Sequence, residues 1–219
     1  MIGLGCDNEM MARNHANGLW VAHIPNSHNI TSIAVQANGT LIGVGEDNQL
    51  YTKAGHDVGD WKGPIEKSCC IQDVTVLSDG TILGLKTNER LVTRADIHSE
   101  WEKVKRSGAG VVRLDIFPDG RLLGASASGA LKIREGVDGP WKWKRIKARK
   151  VKVKDIAIQP DGTILGIGKN TNGIHVFDES TGEWGEMLNN TDCVEAIVSP
   201  GNMGKDIYLL LGVRPFYFI

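Results

Sequence analysis

The sequence predicts an all-β fold: a five-bladed β-propeller of four-stranded antiparallel blades, with its ring closed by N-terminal strands that join the C-terminal blade. Three observations carry this expectation. An apolar hairpin is written four times, as Ile33 to Val44, Val74 to Leu85, Leu114 to Ala125 and Ile156 to Ile167. Its turn glycines, Gly39, Gly80, Gly120 and Gly162, fall 41, 40 and 42 residues apart, a period in the range of propeller blades. A tryptophan then follows each unit, at Trp20, Trp61, Trp101, Trp141 and Trp184.

Each element follows from local chemistry. The first strands are read over Ile30 to Gln36, Ile71 to Val76, Val111 to Phe117, Val153 to Gln159 and Val194 to Ser199, where apolar residues alternate with small or polar ones. An Asn-Gly or Asp-Gly pair then supplies the positive φ of a tight turn, read as a two-residue hairpin loop. The second strand carries a glycine at Gly43, Gly84, Gly124 and Gly166. Glycine weakens a strand unless a neighbour must come close, so tight blade packing is expected there. Third strands follow at Gln49 to Lys53, Arg90 to Arg94, Ala130 to Arg134 and Ile174 to Phe177, and a fourth begins at each tryptophan. No stretch shows the 3.6-residue period of an amphipathic helix.

The N-terminal segment Met1 to Arg13 echoes Leu41 to Lys53, so the chain starts inside a blade. One domain, 1–219, is expected, with a closing blade built from 1–24 plus 194–219. This leaves no unpaired blade edge. Asp206 to Val213 also resembles a second strand, so that place has two claimants.

With 25 basic and 26 acidic residues the net charge is −1, which removes any global electrostatic argument for nucleic acid or membrane. No apolar run is long enough for a transmembrane helix, and the N-terminus lacks the pattern of a signal peptide. Cys6, Cys69, Cys70 and Cys193 lack zinc-binding spacing and are read as buried or idle thiols. Sequons at Asn29, Asn38 and Asn189 suit a secreted or granule-stored protein, with cytoplasmic placement the alternative.

The recurring apolar strand, Asp/Asn-Gly turn, L-x-G-V strand, L-Y-x-K strand and tryptophan, as in Asn38 to Val44, Leu50 to Lys53 and Asp60-Trp61, resembles the tachylectin and tectonin family of propeller lectins. The resemblance covers nearly the whole chain and favours five blades. It implies binding of N-acetylated amino sugars at one shallow site per blade interface, without catalysis; a ligand of the N-acetylglucosamine or N-acetylgalactosamine type, a monomer, and no cofactor or metal are the expectations set beside it. The family's D-N-W becomes Gly59-Asp-Trp61, Ser99-Glu-Trp101, Gly182-Glu-Trp184, Gly139-Pro-Trp141 and Gly18-Leu-Trp20 here, and its glycine- and tryptophan-rich segment before each inner strand is missing.

A sugar site needs an aromatic face and a carboxylate or amide in a rigid frame. The candidates are Trp20, Asp60, Trp61, Glu100, Trp101, Trp143, Glu183 and Trp184. The competing reading has each tryptophan sealing the packing between blades, and Trp141 and Trp143 both claim the repeat position in their unit. Adjacent side chains of a strand point to opposite faces, so acid and ring converge only where the loop bends. Lys142, Lys144, Arg145, Lys147, Arg149 and Lys150 concentrate positive charge in one unit, either as a solvated strand face or as a contact for an anionic partner. That segment motivates the alternative function, a protein-interaction propeller. Scattered histidines and the absence of nucleophile or zinc motifs give catalysis little support. Asp73 and Asp155 share one inner-strand column, which Ser32, Arg113 and Ala196 fill in the other blades, an arrangement unlike a metal ring.

Overall fold

The computed structural model of the chain describes residues 1–6, 9–13, 16, 18–20, 22–24, 29–55, 59–105, 107–143, 151–188 and 193–198. Strands β1 (Ile2–Gly5), β2 (Met10–Ala12) and β3 (Ala22–Ile24) come first. The first complete repeat gives β4 (Ile30–Val35), β5 (Leu41–Gly45) and β6 (Leu50–Lys53), where Lys62 stands in for a fourth strand by exchanging two backbone hydrogen bonds with Thr52. The second blade is β7 (Ile71–Val76), β8 (Ile82–Lys86), β9 (Leu91–Arg94) and β10 (Glu102–Lys103). The third is β11 (Val111–Ile116), β12 (Leu122–Ser126), β13 (Leu131–Arg134) and β14 (Trp141–Trp143). The fourth is β15 (Val153–Ile158), β16 (Ile164–Gly168), β17 (Ile174–Asp178) and β18 (Glu183–Met187). Finally β19 (Val194–Val198) pairs antiparallel with β1, giving a closing sheet in the order β19-β1-β2-β3. The inner strands pack in a ring, β4 on β7, β7 on β11, β11 on β15, β15 on β19 and β19 back on β4.

The fold is the expected all-β five-bladed propeller, and the described residues contain no helix. β1 occupies the second-strand place of the closing blade; its rival claimant, Asp206 to Val213, lies outside the described residues. One detail of the hairpins differs from expectation. Gly39 donates to the Gln36 carbonyl and Gln36 pairs with Thr40, so the loop holds three residues and not two. It is a type I turn followed by a left-handed glycine, with φ of 84° at Gly39 and 88° at Gly162. The residue before each glycine fixes the turn, since Asn38, Asp79, Asp119 and Asp161 accept the backbone N–H two residues on, at 2.9 to 3.1 Å.

Each pair of neighbouring blades encloses one apolar cluster, and the tryptophan of the later blade packs against it. The second-strand glycine explains how that ring fits. A Cβ on Gly3, Gly43, Gly84, Gly124 or Gly166 would lie within 3.0 Å of the Cη2 atom of Trp20, Trp61, Trp101, Trp141 or Trp184 respectively. The indole therefore lies in a slot that only glycine leaves open. Third strands end in a cation that joins the same assembly: Arg13 stacks over Trp20 at 4.3 Å, Arg94 over Trp101 at 4.9 Å and Arg134 over Trp141 at 5.7 Å. Lys53, equally buried, donates to the Gly59 carbonyl, and in the fourth blade Phe177 replaces the cation and meets Trp184 edge-on at 5.1 Å. Filling one slot should be felt. Gly84→Ala is expected to lose about 1–3 kcal/mol by overpacking, whereas Gly108→Ala, with no atom within 4 Å of its Cβ, should stay within about 0.5 kcal/mol of the parent; urea denaturation of the two proteins checks the pair.

The cysteines correct the sequence reading. None is an idle thiol among the described residues, because Cys6 bonds Cys193 and Cys69 bonds its neighbour Cys70. Cys6 follows β1 and Cys193 precedes β19, so the pairing of these strands brings together residues 187 apart in sequence. The bond closes the ring covalently at the seam between chain ends. Cys70 and Cys193 also hold one repeat position, the left-handed residue that enters an inner strand, shared with Asn29 and Gly110 (φ of 75°, 61°, 74° and 65° in that order).

Candidate functional site

The axis of the ring holds three carboxylates. Asp73 accepts the Ser32 hydroxyl at 2.5 Å and the Leu114 N–H at 2.6 Å. Asp115 accepts the N–H groups of Ile116 and Ile158, at 2.8 and 2.7 Å, and Asp155 accepts that of Ile197 at 2.7 Å while facing Arg113 at 3.4 Å. Each side chain thus binds the backbone of the next blade, a staple between neighbours. Asp115 comes from a different inner-strand position than Asp73 and Asp155, which is why the column of Ser32, Asp73, Arg113, Asp155 and Ala196 did not reveal it. Burial pushes Asp115 and Asp155 up to about 7, in the second case against the pull of Arg113, and it raises Asp73 as well. The free space they enclose is about 10 Å³, close to the lower bound for one water. Among the described residues no group of three or more His, Cys, Asp or Glu could hold a metal ion.

The sequence-selected tryptophans occupy the blade interfaces just described. Trp20, Trp61 and Trp101 are half-buried and Trp184 is buried. Trp141, not Trp143, takes the repeat position, since its ring fills the Gly124 slot; Trp143 pairs in register with Lys132 further along β14. The acids beside the rings are exposed. Glu100 points to solvent and pairs with Lys67 at 2.5 Å, Glu183 stands opposite Asp178 at the start of β18, and Asp60 is exposed ahead of Trp61. Lys142 is exposed, while Lys144, Arg145, Lys147, Arg149 and Lys150 lie outside the described residues.

One interface differs from the rest. A cleft of about 360 Å³ on the first blade is lined by Asn29, Ile30, Gly45, Glu46, Asp47, Tyr51 and Trp61. Three chain segments meet there: the entry to β4, the turn between β5 and β6, and the loop that carries Trp61. Tyr51 donates its hydroxyl to Asp47 at 2.8 Å, and Gln49 adds its backbone and side-chain N–H at 3.1 Å each. Burial acts to raise the Asp47 carboxyl, but these bonds outweigh it and hold the group below the usual carboxylate range. The Tyr51 ring is clamped between two glycines, because a Cβ on Gly45 or Gly63 would lie 2.6 or 2.7 Å from it. Sequence reasoning singled out Trp61 alone of this set. A signal was present in the third-strand column, where Tyr51 is aromatic and its counterparts are Met11, Val92, Lys132 and His175.

Fold and site together define a five-bladed β-propeller with an acidic, aromatic-walled cleft on its first blade. Comparison with known proteins bears on the fold. No protein-family model matches the chain, and no curated protein does. Among solved structures, a gluconolactonase from Xanthomonas campestris superposes with a TM-score of 0.59 at 13% identity, over 86% of this chain and 74% of its own. YCF48 bound to a D1 peptide matches at TM-score 0.47 and 18% identity over 85% of this chain. The extracellular domain of a hybrid two-component system from B. thetaiotaomicron matches at 0.49 and 16% over 87%. The chain spans 62% and 28% of the length of those two proteins. At 13% identity, the superposition on the gluconolactonase bears on the architecture alone.

Proposed function

We propose that this propeller is a carbohydrate-binding protein whose principal site is the Trp61 cleft and whose ligands are amino sugars on glycans. The observation that carries the reading is the cleft's composition. Trp61 and Tyr51 offer apolar ring surface to the C–H side of a pyranose, while Asp47, Glu46 and Asn29 offer acceptors and an amide to its hydroxyls. Its volume falls within the range of about 300–1,000 Å³ usual for small-molecule sites. The family resemblance in the repeats points the same way, and its wider form adds weaker contacts at the other tryptophan interfaces of a monomer. Two disulfides suit an oxidising compartment and support a secreted or granule-stored placement.

The test is a glycan array followed by titration of N-acetylglucosamine and N-acetylgalactosamine oligomers into unglycosylated protein, since the Asn29 sequon lies at the cleft. Binding is expected in the high-micromolar to millimolar range per site, strengthened on multivalent surfaces, and Trp61→Phe should weaken it. Absence of binding to every array member overturns the reading. Catalysis is no part of this proposal.

A further inference from the structure

We propose that the Trp61 cleft selects a protonated amine, so that its preferred sugar is an amino sugar with a free ammonium group in place of the acetamide. The inference rests on the carbohydrate reading above and narrows it. Two carboxylates, Glu46 and Asp47, line the cleft, and the described lining residues include no lysine, arginine or histidine. Asp47 is held ionised by Tyr51 and Gln49, and Glu46 precedes it at the turn between β5 and β6 with an exposed side chain. Both aromatic rings face the same space, and an ammonium is attracted to the negative face of an indole or phenol ring as well as to the carboxylates. An acetamide carries no charge, so it can offer the carboxylates only a neutral N–H bond where an ammonium forms a charge pair.

Several features mark the cleft as built for one ligand and not as a repeated packing detail. Gly45 and Gly63 are both required to seat Tyr51. The other four third strands place methionine, valine, lysine or histidine where Tyr51 stands. In the third blade that residue, Lys132, donates to the Ala109 carbonyl, and in the fourth His175 bonds the Gly185 carbonyl at 2.9 Å. Those interfaces thus present a cation or an occupied ring nitrogen where the first blade presents a phenol tied to a carboxylate. A pyranose is favoured over an isolated lysine side chain because two rings and about 360 Å³ exceed what a narrow alkyl chain fills.

The experiment compares a β-1,4-linked glucosamine tetramer with its fully N-acetylated counterpart by isothermal titration, on the parent and on the Glu46→Gln/Asp47→Asn double variant. The free amine is expected to bind at least about tenfold tighter, the ratio that a cation–π contact and a charge pair together supply. The double variant should erase that preference while its melting curve stays close to the parent's. Equal affinities, or tighter binding of the acetylated tetramer, overturn the amine selectivity and leave the carbohydrate reading standing. If neither tetramer binds, both fall. A trimethyl-lysine peptide that binds the parent tighter than either sugar, and loses affinity in the double variant, overturns the sugar and assigns the cleft to a protein partner.

Discussion

Replacing Cys6 and Cys193 together by serine is expected to lower the stability of the ring by about 5 kcal/mol, the value the chain-entropy relation gives for a closed loop of nearly two hundred residues. For a chain of this length that corresponds to a fall in Tm of about 10–20 °C. The logic is geometric. Cys6 and Cys193 flank the paired strands β1 and β19 of the closing blade, so their bond constrains an unfolded chain whose bridged residues are 187 apart, while in the folded state it joins the ends of strands already hydrogen-bonded. The Cys69–Cys70 bond joins neighbours and closes no loop of consequence, so Cys69→Ser/Cys70→Ser should shift Tm by a few degrees at most. Differential scanning of the two double variants checks the contrast. A Cys6→Ser/Cys193→Ser protein that melts within about 3 °C of the parent would show that strand pairing alone closes the ring.

The second large effect concerns pH. Asp115 and Asp155 hold their protons to about pH 7 in the folded chain, because burial disfavours the charged form, while in the unfolded chain they titrate near the ordinary value of about 4. Between those limits the folded state binds protons that the unfolded state has released, so stability is greatest below the unfolded value. It then falls as pH rises through the window. The slope is up to about 1.4 kcal/mol per pH unit for each such carboxyl. Asp47, Asp119, Asp161 and Asp178 are shifted in the opposite sense, below the usual range, and they tilt the profile only in more acid solution. Tm is therefore expected to drop by several degrees from pH 5 to pH 7.5, and Asp115→Asn, which keeps an acceptor for the Ile158 N–H, should flatten that drop. An Asp115→Asn profile that falls as steeply as the parent's across this interval would mean that Asp115 is ionised in the folded state.

The blades were legible in the sequence because their signals are local. Ile156 to Ile167 carries its alternation, its turn and its glycine within a dozen residues, and the strand bounds shift by one residue or less at the inner strands. The match between Met1 to Arg13 and Leu41 to Lys53 placed β1 correctly beside β19. The same alignment sets Cys6 and Cys193 at adjacent strand ends, so the disulfide was implied by the offset and missed when the cysteines were read by spacing alone. The glycines and tryptophans were both read as packing residues. Their union was hidden, because Gly43 meets Trp61 across an intervening strand and no local pattern ties the two. The cleft was hidden for a similar reason: Asn29, Asp47 and Trp61 come from three separate loops, and only the odd residue in a column, Tyr51, marked the place. Asp60, Glu100 and Glu183 adjoin tryptophan in sequence, and strand geometry leaves them exposed while the rings turn inward.

The seam between β1 and β19 also bears on the order of events during synthesis. The first three strands leave the ribosome well ahead of β19, the inner strand of the blade to which Ile2 and Leu4 are committed. At the usual elongation rate of about 5–20 residues per second, some 10–40 seconds separate the two. Through that interval β1 presents an unpaired edge, and the nascent chain must keep that edge from pairing with a neighbour until Val194 to Val198 arrives. Closure of the ring therefore waits for β19, and a product that lacks β19 leaves β1 exposed along that edge.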